Sequence, residues 1–140
     1  MMWDILTQDE KNHILLKLLV HVCKADDVLH ENEFAYLLHV CKILKVNPEV
    51  IREYMMQDEK INEILPQSEQ ERMNILYHLL FIMKSDKNIH PIEEIKIYQL
   101  SFRLGFSEEM TREFIQLYKE NNIDQILQDS MLNIIRKHNN

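Results

Sequence analysis

The chain has 140 residues, 46% hydrophobic and 28% charged, enough for one domain with a real core and unlike either a disordered or a membrane-embedded chain. The formal net charge is −7, and Lys and Arg are scattered among Asp and Glu, so no electrostatic footprint for nucleic acid exists. One glycine and three prolines leave tight hairpins almost no raw material, which points to helices throughout.

Thr7-x-x-Glu10 reads as a capping box that opens a helix running to residue 24. Its polar residues Glu10, His13, Lys17, His21 and Lys24 recur every three or four positions and are expected to form one solvent stripe. The apolar run ILLKLLVHV, residues 14–22, is interrupted by Lys17 and His21, is too short to span a bilayer and follows an acidic flank. It has neither the basic flank nor the small-residue cleavage site of a secretory signal, so a cytoplasmic location is expected. His30, with Glu33 three residues on, then stands at an N-cap. The helix that follows reaches residue 45, with Phe34, Leu37, Leu38, Cys41 and Leu44 expected on its inner face. Asn47 and Pro48 make an N-cap and first-turn proline for a third helix. A short segment, KINEIL, ends at Pro66. Cys23 and Cys41 form no CxxC pair and sit on apolar stripes, which predicts buried free thiols in a reducing compartment.

The same order then begins again. Ser68-x-x-Glu71 caps a helix to residue 84, His90 and Pro91 open the next, and Gly105 closes it. Ser107 opens a helix through residue 120, and residues 124–138 make the last. At an offset of sixty the halves align without a gap from residue 24 to 55, with Lys24/Lys84, Asp26/Asp86, His30/His90, Glu33/Glu93, Leu44/Leu104, Arg52/Arg112 and Glu53/Glu113 identical. After a two-residue insertion, Ile61, Ile64 and Leu65 answer Ile123, Ile126 and Leu127. This is an internal duplication. His13, Lys17 and His21 become Met73, Tyr77 and Phe81, so the second copy's first helix is apolar nearly all round and belongs at the centre of a bundle. The expected fold is all-α: a compact bundle of about seven or eight helices, pseudo-two-fold, around helix 69–84. One domain, 1–140, holds repeat 1 over 8–65, repeat 2 over 69–127 and a C-terminal helix over 124–138.

Each copy writes Lys-x-Asp-x-x-x-His-x-x-Glu across a helix end, a turn and a helix start. As a structural clasp, His30 and His90 cap, Glu33 and Glu93 accept orphan amides at N3, and Asp26 and Asp86 brace the turn, each end contributing about 1 kcal/mol. Yet Asp26 and Asp86 follow helix C-termini, where the macrodipole disfavours a carboxylate by about 0.3–1 kcal/mol. Exposed carbonyls, an aspartate and a glutamate make an oxygen-rich pocket for a hard cation such as Ca²⁺, Mg²⁺ or Mn²⁺, with weak affinity of about 10⁻⁴ to 10⁻³ M. The metal candidates are Asp26, Asp27, His30 and Glu33 in the first copy, and Asp86, His90 and Glu93 in the second. Asp27 adds a carboxylate to the first turn, whereas Lys87 in the second can itself neutralise Asp86. Zn²⁺ through His30 or His90 ranks lower, because no thiolate stands at ligand spacing. An EF-hand is excluded: counted from Asp26 the third position is Val28 and the twelfth Leu37, and counted from Asp86 the twelfth is Ile97. A third use of the turns is as a polar surface for a partner.

Two copies of Ala/Ser-Asp-x-x-Ile/Leu-His-x-x-Glu, in ADDVLHENEFAYLLHVCKILKV and SDKNIHPIEEIKIYQLSFRLGF, resemble the TerB-like family over residues 10–127. That family includes tellurite-resistance TerB proteins and a domain of the membrane-anchored co-chaperone DjlA. The resemblance implies an all-helical fold with an internal pseudo-repeat, and acidic patches that bind metal ions. Carried over, it points at Asp26 and Glu33, and at Asp86 and Glu93. The family often writes Ala-Asp-Gly here, whereas this chain has Ala-Asp-Asp and Ser-Asp-Lys, without the glycine's access to positive φ.

His21, His30 and His39 are spaced by nine, but a turn separates them from any single helical face. The methionines, Met55, Met56 and Met83 among them, read as core filler, and Tyr54, Tyr77, Tyr98 and Tyr118 as packing with a polar tip. No nucleophile–base pair, phosphate loop or paired carboxylates mark an enzyme. The expected function is a non-enzymatic stress-response protein that binds divalent cations through its acidic turns. The alternative is a metal-independent interaction or co-chaperone-type module that docks a protein partner on acidic helical surfaces. A homo-oligomer is compatible with either.

Overall fold

A computed structural model describes residues 5–24, 29–57, 60, 64–85, 92–120 and 124–139. Among them are seven helices: α1 (Gln8–Cys23), α2 (Glu31–Leu44), α3 (Glu49–Met56), α4 (Glu69–Ser85), α5 (Glu93–Arg103), α6 (Glu108–Glu120) and α7 (Asp124–Asn139). The all-α class is as expected. Ile61, Asn62 and Glu63 of KINEIL lie outside the described residues.

Short polar side chains start four of the helices. The Thr7 hydroxyl accepts the Glu10 amide at 3.1 Å, while Glu10 Oε1 accepts the Thr7 amide at 3.0 Å, a complete capping box. Ser68 Oγ accepts from Glu71 N–H at 3.2 Å, Ser107 Oγ from Met110 N–H at 3.1 Å, and Asn47 Oδ1 from Glu49 N–H at 3.0 Å. The ends of α2 and α5 are built alike. Val46 N–H reaches Cys41 O and Lys45 N–H reaches Lys42 O; sixty residues on, Phe106 N–H reaches Ser101 O and Gly105 N–H reaches Phe102 O. This is the Schellman closure, and it needs a left-handed residue. Gly105 supplies it at φ 93°, and Lys45 does so at φ 57°. Another contact recurs at the same spacing: Asn12 Nδ2 donates to Leu44 O at 3.5 Å, and Arg72 Nη1 to Leu104 O at 3.4 Å.

α1 packs against α2, α3 and α5, and α4 against α5, α6 and α7; α5 and α7 also flank α6. Leu15, Leu16, Leu18, Leu19 and Val20 of α1 meet Ile75, Leu76, Leu79 and Leu80 of α4 in one continuous apolar core, all of them fully buried. Phe106 and Phe114 close its far end edge to face, 5.6 Å apart.

Three expectations are corrected. The inner face of α2 is Tyr36, Leu37, Val40 and Cys41, while Phe34 and Leu38 are 44% and 37% exposed. Apolar residues surround that helix on three sides, so contact with α1 rather than periodicity chooses the buried one. The polar stripe of α1 is also no solvent stripe beyond Glu10, because α3 lies along it. His13 Nδ1 pairs with Tyr54 Oη at 2.8 Å, and the Lys17 ammonium stands 6.0 Å from the centre of the Tyr54 ring. Met56, read as core filler, is 75% exposed, whereas Met73, Met110 and Met131 are buried. No helix among the described residues is long and apolar enough to cross a membrane.

Candidate functional site

The repeated motif begins with Lys24. Its ammonium donates to the carbonyls of Tyr54, Met55 and Gln57 at 3.4, 3.1 and 3.0 Å. Those oxygens belong to the C-terminal end of α3, which has no intrahelical donors for them and carries the negative end of the dipole. Lys24 therefore fastens α1 to α3.

The motif ends with Glu33, in the first turn of α2. One oxygen accepts the His30 amide at 3.4 Å, the returning half of the expected cap. The other meets the Lys96 ammonium, carried by α5, at 2.5 Å. The pair is nearly dry, with 7% of the Lys96 side chain and 14% of the Glu33 side chain exposed. Lys96 also donates to Gln99 Oε1 at 2.9 Å.

Glu93 lies one turn before Lys96 on the same helix and is 1% exposed. The sequence puts it at N3, but α5 begins with Glu93 itself, behind Ile92 as N-cap. Fully buried Tyr36 lies close enough to Glu93 that, after burial, this carboxylate is the next cause holding the phenol well above its ordinary range. Cys23 of α1 completes the group. Burial pushes its thiol up to about 12, with Lys96 opposing and Glu33 reinforcing the rise. Five ionisable groups from α1, α2 and α5 thus share one buried locus. Such a locus is tolerated only when its charges are paired.

Of the sequence-derived metal candidates, Glu33 and Glu93 come to this locus, and His30 is exposed beside it. Asp26, Asp27, Asp86 and His90 lie outside the described residues. Among the described residues no group of three or more His, Cys, Asp or Glu side chains is arranged to hold a metal ion, and the His21, His30 and His39 series makes none. Both cysteines are buried and free, as expected. Tyr36, Lys96 and Cys23 were not singled out from the sequence as partners of the motif. A signal existed: Tyr36 and Lys96 occupy the same position of the two copies, and Lys96 interrupts the apolar series Ile92, Ile97 and Leu100.

A separate cavity of about 560 Å³ opens between α1, α5 and the start of α6, lined by Val22, Tyr98, Gln99, Phe102, Arg103, Phe106 and Glu108. Phe102 at its rim is 75% exposed, and Ile95, two turns earlier, is 56% exposed.

No family model matches the sequence, and neither a characterised protein nor a solved structure matches it.

Proposed function

We propose that the protein is a non-enzymatic, TerB-like ion-responsive module in which the two copies of the acidic motif act as one unit. The observation that carries this is the common locus of Glu33 and Glu93, the final residues of the two motifs. The contacts are reciprocal: Glu33 of the first copy meets Lys96 of the second, while Tyr36, the counterpart of Lys96, neighbours Glu93, the counterpart of Glu33. A pseudo-two-fold axis through an internal duplication has that signature, as in any isologous contact. A divalent cation at the Asp26–Asp27 or Asp86 turn would act on the start of α2 or α5, and so on this locus. Stress response and tellurite resistance rest on the family resemblance alone.

The test is a thermal melt in EDTA and then in about 5 mM Ca²⁺, Mg²⁺, Mn²⁺ or Zn²⁺, where a site of about 10⁻⁴ M adds about 2 kcal/mol. At this chain length that raises Tm by about 6 °C. Asp26→Asn and Glu33→Gln are expected to abolish the rise with helix content intact. No rise with any cation rejects the proposal.

A second function is favoured by the cavity beside Phe102: docking of an amphipathic helix. The net charge of −7 favours a basic partner helix, whose apolar face would cover Phe102 and Tyr98 between Arg103 and Glu108. Binding of a Lys/Leu model helix that weakens with salt, ignores EDTA and is lost in Phe102→Ser would support it. Indifference to Phe102→Ser would reject it.

A further inference from the structure

We infer that the exposed face of α5 pairs head to tail with α5 of a second copy of this chain, Phe102 of each copy lying against Ile95 of the other. The inference goes beyond both functional readings and gives that face an occupant when no partner helix covers it.

The face is marked by what the fold does not require. α2 and α5 are counterparts in the duplication, end in the same closure and both pack against α1. Sixty residues before Ile95 and Phe102 stand Ala35 and Lys42, and all four are exposed. The fold therefore accepts a small or a charged residue at these places, yet on α5 both are large and apolar. They stand seven residues apart, two helical turns, so they share one side of α5, with half-buried Tyr98 between them. Covering that side removes apolar surface from water, which is the driving force for association.

A second copy fits it because a two-fold contact must be complementary to itself. The antiparallel register that sets Phe102 against Ile95 also sets Tyr98 beside Gln99. It fixes the charges as well. Glu94 is exposed at the start of α5 and Arg103 at its end. Turned head to tail, each end of the contact holds Glu94 of one copy and Arg103 of the other, and the two helix dipoles oppose. Two copies of α5 side by side in the same direction would instead bring like charges together at both ends. The 11 residues of α5 make a contact about 16 Å long. That is at the small end of specific interfaces, so the dimer is weak, with a Kd of about 10⁻⁵ to 10⁻⁴ M.

The experiment is sedimentation velocity of the full chain from about 5 to 500 µM in about 0.15 M salt, which screens the repulsion between two copies of charge −7. A passage from monomer to dimer over that range is expected. Phe102→Ser and Ile95→Ser should each weaken association at least about tenfold and leave the melting point of the monomer unchanged, since both side chains face outward. Arg103→Glu and Glu94→Arg should each dimerise poorly alone and recover the dimer when mixed in equal amounts. A wild type that stays monomeric at about 500 µM overturns the inference. So does a dimer indifferent to Phe102→Ser, or a charge-reversed pair that mixing does not rescue. The outcomes also separate a second copy from a basic helix on this face. A monomer that binds the Lys/Leu model helix rejects the second copy alone. A dimer that the Lys/Leu helix neither joins nor dissociates supports the second copy and rejects the helix.

Discussion

Glu33 and Lys96, sixty-three positions apart in the chain, are joined by a nearly dry ion pair at 2.5 Å that ties the first turn of α2 to α5. Removing one partner strands the other charge, so Glu33→Leu and Lys96→Met are each expected to destabilise by about 3 kcal/mol. Replacing both removes the stranded charge, and the double variant should lie within about 1 kcal/mol of the wild type. Urea denaturation of the four proteins measures the coupling directly. Losses that simply add in the double variant would mean that the two side chains act independently.

The matched ends of α2 and α5 give a second expectation. Lys45 holds a left-handed conformation that costs a residue with a Cβ about 1 kcal/mol, whereas Gly105 holds the equivalent place without that cost. Lys45→Gly should therefore raise stability by about 1 kcal/mol, or about 3 °C in Tm. Gly105→Ala should lower it by about as much from backbone strain alone, since the new Cβ would find only Arg72 Nη1, at an ordinary 3.6 Å. A destabilised Lys45→Gly would show that the lysine side chain contributes more than its backbone costs.

The helix starts at Thr7, Asn47, Ser68 and Ser107 were legible because a cap is a local hydrogen bond between residues two or three apart. Gly105 was legible because only positive φ makes a lone glycine useful there. What escaped was decided by partners distant in the chain. Phe34 and Leu38 look as apolar as Leu37, yet only the position of α1 determines which side of α2 is buried. The stripe from His13 to Lys24 looks solvated until Tyr54 and the α3 carbonyls are laid along it. Half of the locus could be read from Glu33 and Glu93 repeating at sixty. The other half, Tyr36 with Lys96, repeats in position but not in chemistry, so identity between the copies does not mark it.

The thiols should be chemically silent. Burial pushes Cys23 up to about 12 and Cys41 up to about 11, so almost no thiolate exists near neutrality and neither sulfur meets solvent. In the native protein a disulfide reagent such as DTNB should modify them at least about 100-fold more slowly than in urea, at a rate set by opening of the fold. Fast stoichiometric labelling without denaturant would show that α1 and α2 part readily. The Glu33→Leu variant should label Cys23 faster than Cys41, because the lost ion pair borders Cys23.

His78 gives the fold an acid limit of its own. It stands between α4 and α1, with Nε2 2.9 Å from Asn12 Oδ1, and Gln8 Nε2 donates to that same oxygen at 2.9 Å. Burial, with Lys11 as the lesser cause, pushes the imidazole down from 6.5 to about 4. Between those values the unfolded chain binds a proton that the folded chain refuses, so stability is complete above 6.5 and falls as the pH drops toward 4. At pH 5 the loss amounts to about 2 kcal/mol relative to pH 7, before most carboxylates titrate. His78→Gln keeps a donor for Asn12 and cannot ionise. Its unfolding free energy should be nearly flat over pH 5–7, where that of the wild type slopes. Equal slopes in the two proteins would assign the acid sensitivity to another group.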